Sequence, residues 1–232
     1  MGLADIFRGL TSLFFPSLCL HCRRSLDRGS DLLCVGCDAD LPLSDSYLQP
    51  ENAVTDRLAG RFPLTYGAYA YTFRDGTVCQ RLIHALKYHD RPDVGVALGR
   101  RFGTYLQSAE PLRGLTGIVP VPIHRRRRRQ RGYNQAEEIA CGLAESLSVT
   151  VYPDALQRAA FAGSQTKRDK LQRLENVRHS FRVGRGDFRN GHLLLVDDVL
   201  TTGATIDFCA EALIAAHPGL QISVVTLAVA ER

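Results

Sequence analysis

The segment LLLVDDVLTTGAT, Leu193 to Thr205, constrains the fold of this chain more than any other stretch. Four consecutive apolar residues bounded by acids suit a strand buried on both faces, as in a parallel sheet covered by helices. A glycine among threonines marks a turn, and Ala204 to Ala215 then reads as a helix. The same alternation recurs along the chain. YGAYAYTF from Tyr66, GIVPVPI from Gly117 and ISVVTLAV from Ile222 read as strands, whereas Thr77 to Leu86 and Asp93 to Leu106 read as helices. Asn134 to Leu147 is the clearest helix, because Ala136, Ile139, Ala140, Leu143, Ala144 and Leu147 repeat at helical spacing. Asn134 is its expected N-cap, with Glu137 reaching back in a capping box. The expected fold class is therefore α/β, a mostly parallel sheet with helices on both faces.

In an open sheet of this kind, ligands bind beyond the carboxyl ends of the strands. The turn after LLLV is thus an expected site, and its residues suit a phosphate monoester. Gly203 permits close backbone approach, and the hydroxyls of Thr201, Thr202 and Thr205 can donate hydrogen bonds. Ala204 opens a helix whose unpaired N–H groups favour an anion. Asp197 and Asp198 would repel the phosphate itself. They suit the vicinal hydroxyls of an adjoining ribose, so a 5-phosphoribosyl group fits the whole set. No G-x-x-x-x-G-K-[ST] loop accompanies the segment, which sets aside a nucleotide triphosphatase reading of the acidic strand end.

These thirteen positions resemble the type I phosphoribosyltransferase signature: four hydrophobic residues, two acids, two hydrophobic residues and a hydroxyl-rich loop around glycine. The wider order of parts narrows the resemblance. An N-terminal cysteine module, VPVP followed by R-x-R-G-Y-N-Q, Gln165-Thr166 with Arg173 and Asn176, and then VDDVLTTGAT is similar to the ComF/GntX family of competence-associated, phosphoribosyltransferase-like proteins. That resemblance implies a type I phosphoribosyltransferase-like domain binding 5-phosphoribosyl-1-pyrophosphate with magnesium. It also implies a link to uptake of single-stranded DNA, with single-stranded DNA and other competence proteins as partners. Lys87, with Tyr88 and Arg91 nearby, falls where the family binds pyrophosphate. In type I enzymes a flexible loop closes over the substrate at the point of the arginine run. Arg129, Arg131 and Tyr133 are then the expected ligand contacts.

The residues of that run speak for themselves as well. Between His124 and Arg131 six of eight residues are arginine, too many for a core, so they face water or a polyanion. Following a buried strand and preceding a capped helix, they read as a basic loop. The chain as a whole carries a formal net charge of +5, compatible with phosphorylated ligands or nucleic acid and diagnostic of neither.

Cys19, Cys22, Cys34 and Cys37 form two C-x-x-C pairs, the donor set of a structural zinc site. Eleven residues lie between the pairs, enough for a two-stranded zinc ribbon, and His21 is an alternative ligand. So small a unit lacks the core to fold without metal. Cys79, Cys141 and Cys209 are isolated within expected helices and read as small core residues. No run approaches 18 apolar residues, and the N-terminus lacks the marks of an export signal, so the expected compartment is the reducing cytosol. The expected organisation is an amphipathic helix over residues 1–15, a zinc ribbon over 16–43, a linker over 44–63 and the phosphoribosyltransferase-like domain over 64–232. The first helix, with Leu3, Ile6, Phe7, Leu10 and Phe14 on one face, packs on protein or lies on a membrane surface.

Two functional readings stay open at this point. One is phosphoribosyl transfer from the pyrophosphorylated sugar to an unidentified acceptor. In that reading Asp197, Asp198, Lys87 and Arg131 do the chemistry, and Thr201 to Thr205, Arg129 and Tyr133 bind substrate. The other is a single-stranded DNA-binding competence factor whose phosphoribosyl site is regulatory or vestigial.

Overall fold

The computed structural model describes residues 17–26, 29–158 and 181–231. The N-terminal helix expected over 1–15 and the Gln165, Thr166, Arg173 and Asn176 positions lie outside the described residues.

Among the described residues four strands form one parallel sheet in the order β1-β6-β5-β2. They are β1 (Leu64–Phe73), β2 (Gly117–Pro120), β5 (His192–Leu200) and β6 (Gln221–Ala230). A separate antiparallel pair joins β3 (Leu156–Arg158) to β4 (Phe181–Val183). The apolar runs read as strands buried on both faces are buried on both faces. Leu194 and Val196 of β5 enter one core, while Leu193 and Leu195 enter the other. In β6 Val225 and Leu227 divide from Ile222 and Val224 in the same way. This is the period-2 alternation of a pleated strand between two layers.

One layer holds α3 (Val78–Tyr88), α4 (Pro92–Leu106) and α6 (Gln135–Leu147). The other holds α2 (Ala53–Leu58) and α7 (Ala204–Ala216). Helices α4 and α6 pack backbone to backbone. A Cβ at Gly99 would sit 2.3 Å from the Ile139 carbonyl oxygen, and one at Gly142 would sit 2.0 Å from that of Val96. Only glycine allows that approach.

The structure differs from the sequence reading at five places. The segment expected as a linker, 44–63, is ordered into the fold. A 3-10 turn (Ser46–Leu48) precedes α2, whose Val54 and Leu58 are fully buried against the sheet. Asn52 and Thr55 close a capping box there, and Asn52 Nδ2 donates to the Gly67 carbonyl of β1 at 2.8 Å. The arginine run is a helix, α5 (Arg125–Arg131), rather than a loop. Arginine is a good helix former. His124 Nδ1 accepts the Arg126 N–H at 3.2 Å at one end, and Gly132, at φ 80°, closes the other.

Asn134 does cap α6, accepting the Ala136 N–H at 3.2 Å, but Glu137 does not reach back to it. Glu137 instead pairs with Arg128 at 3.2 Å, a cation the capping argument left out of account. Finally, Cys79 and Cys209 are buried, but Cys141 is exposed on the outer side of α6. GIVPVPI pairs with β5 as far as Pro120, where the Val121 N–H still donates to the Val196 carbonyl at 2.8 Å, and Pro120 and Pro122 fall on the side facing away from β5, where a missing N–H is tolerated.

Ahead of the sheet, the cysteine module folds as a hairpin with a single antiparallel bridge, Leu18 to Ser25, followed by α1 (Val35–Ala39). Leu32, Leu33 and Leu41 continue the core under α3 and α4, and Asp38 pairs with Arg101 of α4.

Candidate functional site

The site is built at the carboxyl end of β5. Pairing to β6 continues past Val196 through Asp197 to Leu200, so the two carboxylates are carried by the sheet rather than by a loop. Asp197 Oδ1 accepts the Asp198 N–H at 2.8 Å. Burial and the adjacent Asp198 charge push the Asp197 carboxyl up to about 7, against the opposing pull of Lys87 and Arg158. Asp198 Oδ2 lies 3.0 Å from Nζ of Lys87, at the last turn of α3. Lys87 therefore stands beside the acidic pair.

The turn from Thr201 to Gly203 follows, and α7 begins at Ala204. Gly203 holds φ 81°, and a Cβ there would sit 2.8 Å from Cδ2 of Leu58. Both conditions select glycine. Thr201 and Thr202 are exposed, and Ala204 and Thr205 are half-buried at the start of α7.

Two arginines that the sequence reading missed hold this turn. Arg57 Nη1 donates to the Leu200 carbonyl at 2.8 Å and to that of Thr201 at 3.2 Å, while Nη2 donates to the Ala230 carbonyl. Arg61 Nη2 donates to the Thr202 carbonyl at 2.8 Å, and its Nη1 lies 3.5 Å from Asp207 Oδ2. The carbonyls of the turn are thus engaged by guanidinium groups of the α2 segment. A bound anion need not meet them, which leaves amide and hydroxyl donors for the ligand side. The sequence carries only a faint mark of the short helix that bears Arg57, Asn52 with Thr55 and Val54 with Leu58, and none of the arginine contacts themselves.

A cleft of about 890 Å³ opens over the acids. Asp197, Asp198 and Thr205 line it with Lys87 and Tyr88, and the segment that follows β2 contributes Val121 through Ile123. From α5 the structure brings in Arg127 and Arg131, and from β3 it brings Arg158. Arg127 and Arg158 were not anticipated. Arg129 is exposed and is not among the lining residues. The helix explains the selection, since residues four apart share a face and Arg129 lies on another.

Arg131 stacks over Tyr88 at 5.2 Å and donates to Gln135 Oε1 at 2.8 Å. Tyr133 lines the cleft too, but its hydroxyl donates to the Leu86 carbonyl at 2.5 Å and burial pushes its ionisation up. Tyr88, 63% exposed on the rim, is the more accessible aromatic face. The cleft thus joins paired acceptors, several cations and a helix start. Chemically it can take a ligand with hydroxyls near one phosphate and further negative charge beyond.

The second cluster is Cys19, Cys22, Cys34 and Cys37, whose sulfur atoms all lie within 4.8 Å of one another. Cys22 Sγ and Cys34 Sγ are 3.6 Å apart. Four sulfurs around an ion with bonds of about 2.3 Å are separated by about 3.8 Å, so the cluster could hold a metal such as zinc. The Arg24 backbone N–H and guanidinium draw the Cys22 thiol down to about 6, which favours the ligating thiolate.

No protein-family model matches the chain. It is 27% identical over 217 residues to the DNA utilization protein YhgH of Escherichia coli, spanning 87% of this chain and 92% of that protein. It is 26% identical over 211 residues to competence protein F of Haemophilus influenzae, spanning 84% and 89%. Against competence protein ComFC of Bacillus subtilis the figures are 24% over 210 residues, 90% and 83%. The ComF resemblance read from the motifs therefore extends over most of the chain. Among solved structures it is similar to an allosteric regulatory enzyme of purine biosynthesis, with a TM-score of 0.42 and 18% identity over 61% of this chain and 29% of that one. It is also similar to a hypoxanthine phosphoribosyltransferase from Staphylococcus aureus, with a TM-score of 0.37 and 13% identity over 60% and 64%.

Proposed function

We propose that the cleft binds 5-phosphoribosyl-1-pyrophosphate with magnesium, as a phosphoribosyltransferase-like protein acting in DNA utilization or competence. One observation carries the reading: paired carboxylates at the end of β5 stand beside a hydroxyl-rich turn whose carbonyls are already engaged. In this reading Asp197 and Asp198 accept from the ribose hydroxyls. The turn from Thr201 to Thr205 and the first amides of α7 receive the 5-phosphate. Lys87, Arg127 and Arg131 meet the pyrophosphate.

Magnesium fits the donor set, because Asp197 and Asp198 offer hard oxygen ligands at the cleft and the ligand supplies the others. When bound, it offsets the charge of the diphosphate. Where transfer occurs, the chain contributes position and charge. The carboxylates fix the sugar and favour positive charge developing on the ring, while Lys87 and the α5 arginines stabilise the departing pyrophosphate. Zinc held by Cys19, Cys22, Cys34 and Cys37 would close the N-terminal module as a structural site, and the fully sulfur donor set with no open position supports that role. The cytoplasm, where phosphorylated ribose and reduced thiols coexist, is the compartment that suits both sites.

The test is calorimetric titration of magnesium 5-phosphoribosyl-1-pyrophosphate into the intact chain and into Asp198→Ala and Thr202→Val. Heat in the first and none in the variants supports the reading; silence in the first ends it. Release of pyrophosphate, screened over bases and amines, then separates turnover from binding.

A second reading rests on α5, where Arg125 to Arg129 are all exposed. Such a surface suits the phosphates of single-stranded DNA. Binding that weakens with salt and survives Asp197→Ala would favour it.

A further inference from the structure

Helix α5 presents arginines to two separate hollows. Arg127 and Arg131 enter the cleft, whereas Arg125 and Arg128 line a smaller groove of about 260 Å³ on another side of the helix. Arg158 lines both, forming the shared wall. Its guanidinium lies 5.2 Å over the Phe181 ring, and among the described residues no carboxylate lies within ion-pairing distance of it. Arg127 lies near enough to add repulsion, and the Asp197 carboxylate, beyond ion-pairing distance, offsets it only in part. A half-buried cation with like charge beside it and no ion-paired carboxylate among the described residues is costly to maintain, and a bound anion lowers the cost.

The other polar neighbours sharpen this. Asn134 is already occupied by the Val121 carbonyl and the Ala136 N–H, and Arg128 is shared with Glu137. Asp154 is the groove's one lining carboxylate among the described residues, against three arginines. The cleft's volume falls in the range of about 300–1,000 Å³ that holds a whole small ligand, and the groove falls just below it. The groove is the size for one group of a molecule whose remainder sits elsewhere.

We propose that this groove is a second anion subsite, taking a phosphate group of the acceptor that reaches the sugar bound in the cleft. The inference rests on the reading of the cleft given above and adds the class of its partner: a phosphate-bearing molecule. Arg125, Arg128 and Arg158 hold the group by charge-assisted hydrogen bonds. The phosphate belongs to a small monoester or to a nucleic-acid backbone, and the test distinguishes the two.

Inorganic phosphate is titrated into the intact chain, with and without saturating magnesium 5-phosphoribosyl-1-pyrophosphate, and into Arg125→Glu and Arg158→Met. Methionine keeps the stem of Arg158 against Phe181, and Arg125 is exposed, so both variants should fold, as checked by circular dichroism. Phosphate should still bind when the cleft is filled, and each variant should weaken that binding by about tenfold or more, the loss of one charged contact. Complete displacement by the sugar, or variants that bind phosphate as the parent does, overturns the subsite. If the pyrophosphorylated ribose never binds, the cleft reading fails on its own, while the phosphate titrations of the two variants still decide the groove. A labelled oligothymidylate followed by anisotropy then identifies the source. Weaker binding in Arg125→Glu with a shallower salt dependence supports the subsite as a backbone site, and unchanged oligonucleotide binding beside lost phosphate binding supports it as a monoester site.

Discussion

Replacing Asp197 by asparagine should stabilise the ligand-free protein, and by an amount that grows with pH. The carboxyl is pushed up to about 7 in the folded chain from an ordinary 3.8, because burial and Asp198 both oppose its charge. A carboxyl raised on folding contributes stability that is complete below the unfolded value and lost as pH climbs through the folded one. The loss therefore runs from about pH 4 to about pH 7 and is complete by pH 8. Asparagine carries no charge and keeps the oxygen that accepts the Asp198 N–H. From one pH unit being about 1.4 kcal/mol, the advantage of Asp197→Asn should widen by about 2 to 3 kcal/mol between pH 5 and pH 8. For a chain of this size, that is a difference of roughly 5 °C in unfolding midpoint. Thermal and urea unfolding of both proteins at the two pH values measures it. Equal stabilities at pH 8, or a gap that does not change between pH 5 and pH 8, would refute the electrostatic account of this carboxylate.

Other expectations concern the scaffold. Gly203→Ala places a Cβ against Leu58 at a left-handed position and should cost about 1–2 kcal/mol in urea unfolding, with weaker ligand binding. Arg57→Met removes charged donors from three carbonyls and should cost about 1.5–3 kcal/mol, with faster hydrogen exchange in the turn from Leu200 to Thr202. Gly142→Ala drives a methyl into the Val96 carbonyl, so α4 and α6 must separate, lowering stability by about 1–3 kcal/mol. Metal analysis should find about one zinc per chain, and Cys37→Ser or a strong chelator should abolish it and loosen the N-terminal module.

The parts of this molecule that were legible in its sequence are those where burial writes a period. LLLV and ISVVTLAV are apolar because both faces of the sheet are covered, and α6 repeats at 3.6 because one face is. The acids at the end of β5 and the threonines after it stand out because such a run of charge and hydroxyls is unusual where a buried strand ends. Helix α5 was not, because seven residues without apolar spacing carry no period; propensity and two caps form it. Helix α2 was hidden by its polar composition, with only Val54 and Leu58 to mark an inner face. Arg57 could not be assigned from sequence at all. Its carbonyl partner at Leu200 is 143 positions away, and nothing local distinguishes it from a solvated arginine. Cys141 was misplaced because a helical cysteine does not announce which side of the helix it occupies.

The grip of Arg57 and Arg61 on the turn also decides where this chain can be divided. One guanidinium fastens the ends of β5 and β6 together, and it comes from a stretch that precedes the first strand of the sheet. A fragment beginning at Leu64 would keep every strand of the sheet yet leave the turn after β5 without its clamp. To preserve the site, a shortened protein has to begin upstream of Ser44, whose N–H donates to the Ala70 carbonyl at 2.7 Å and starts the segment along β1.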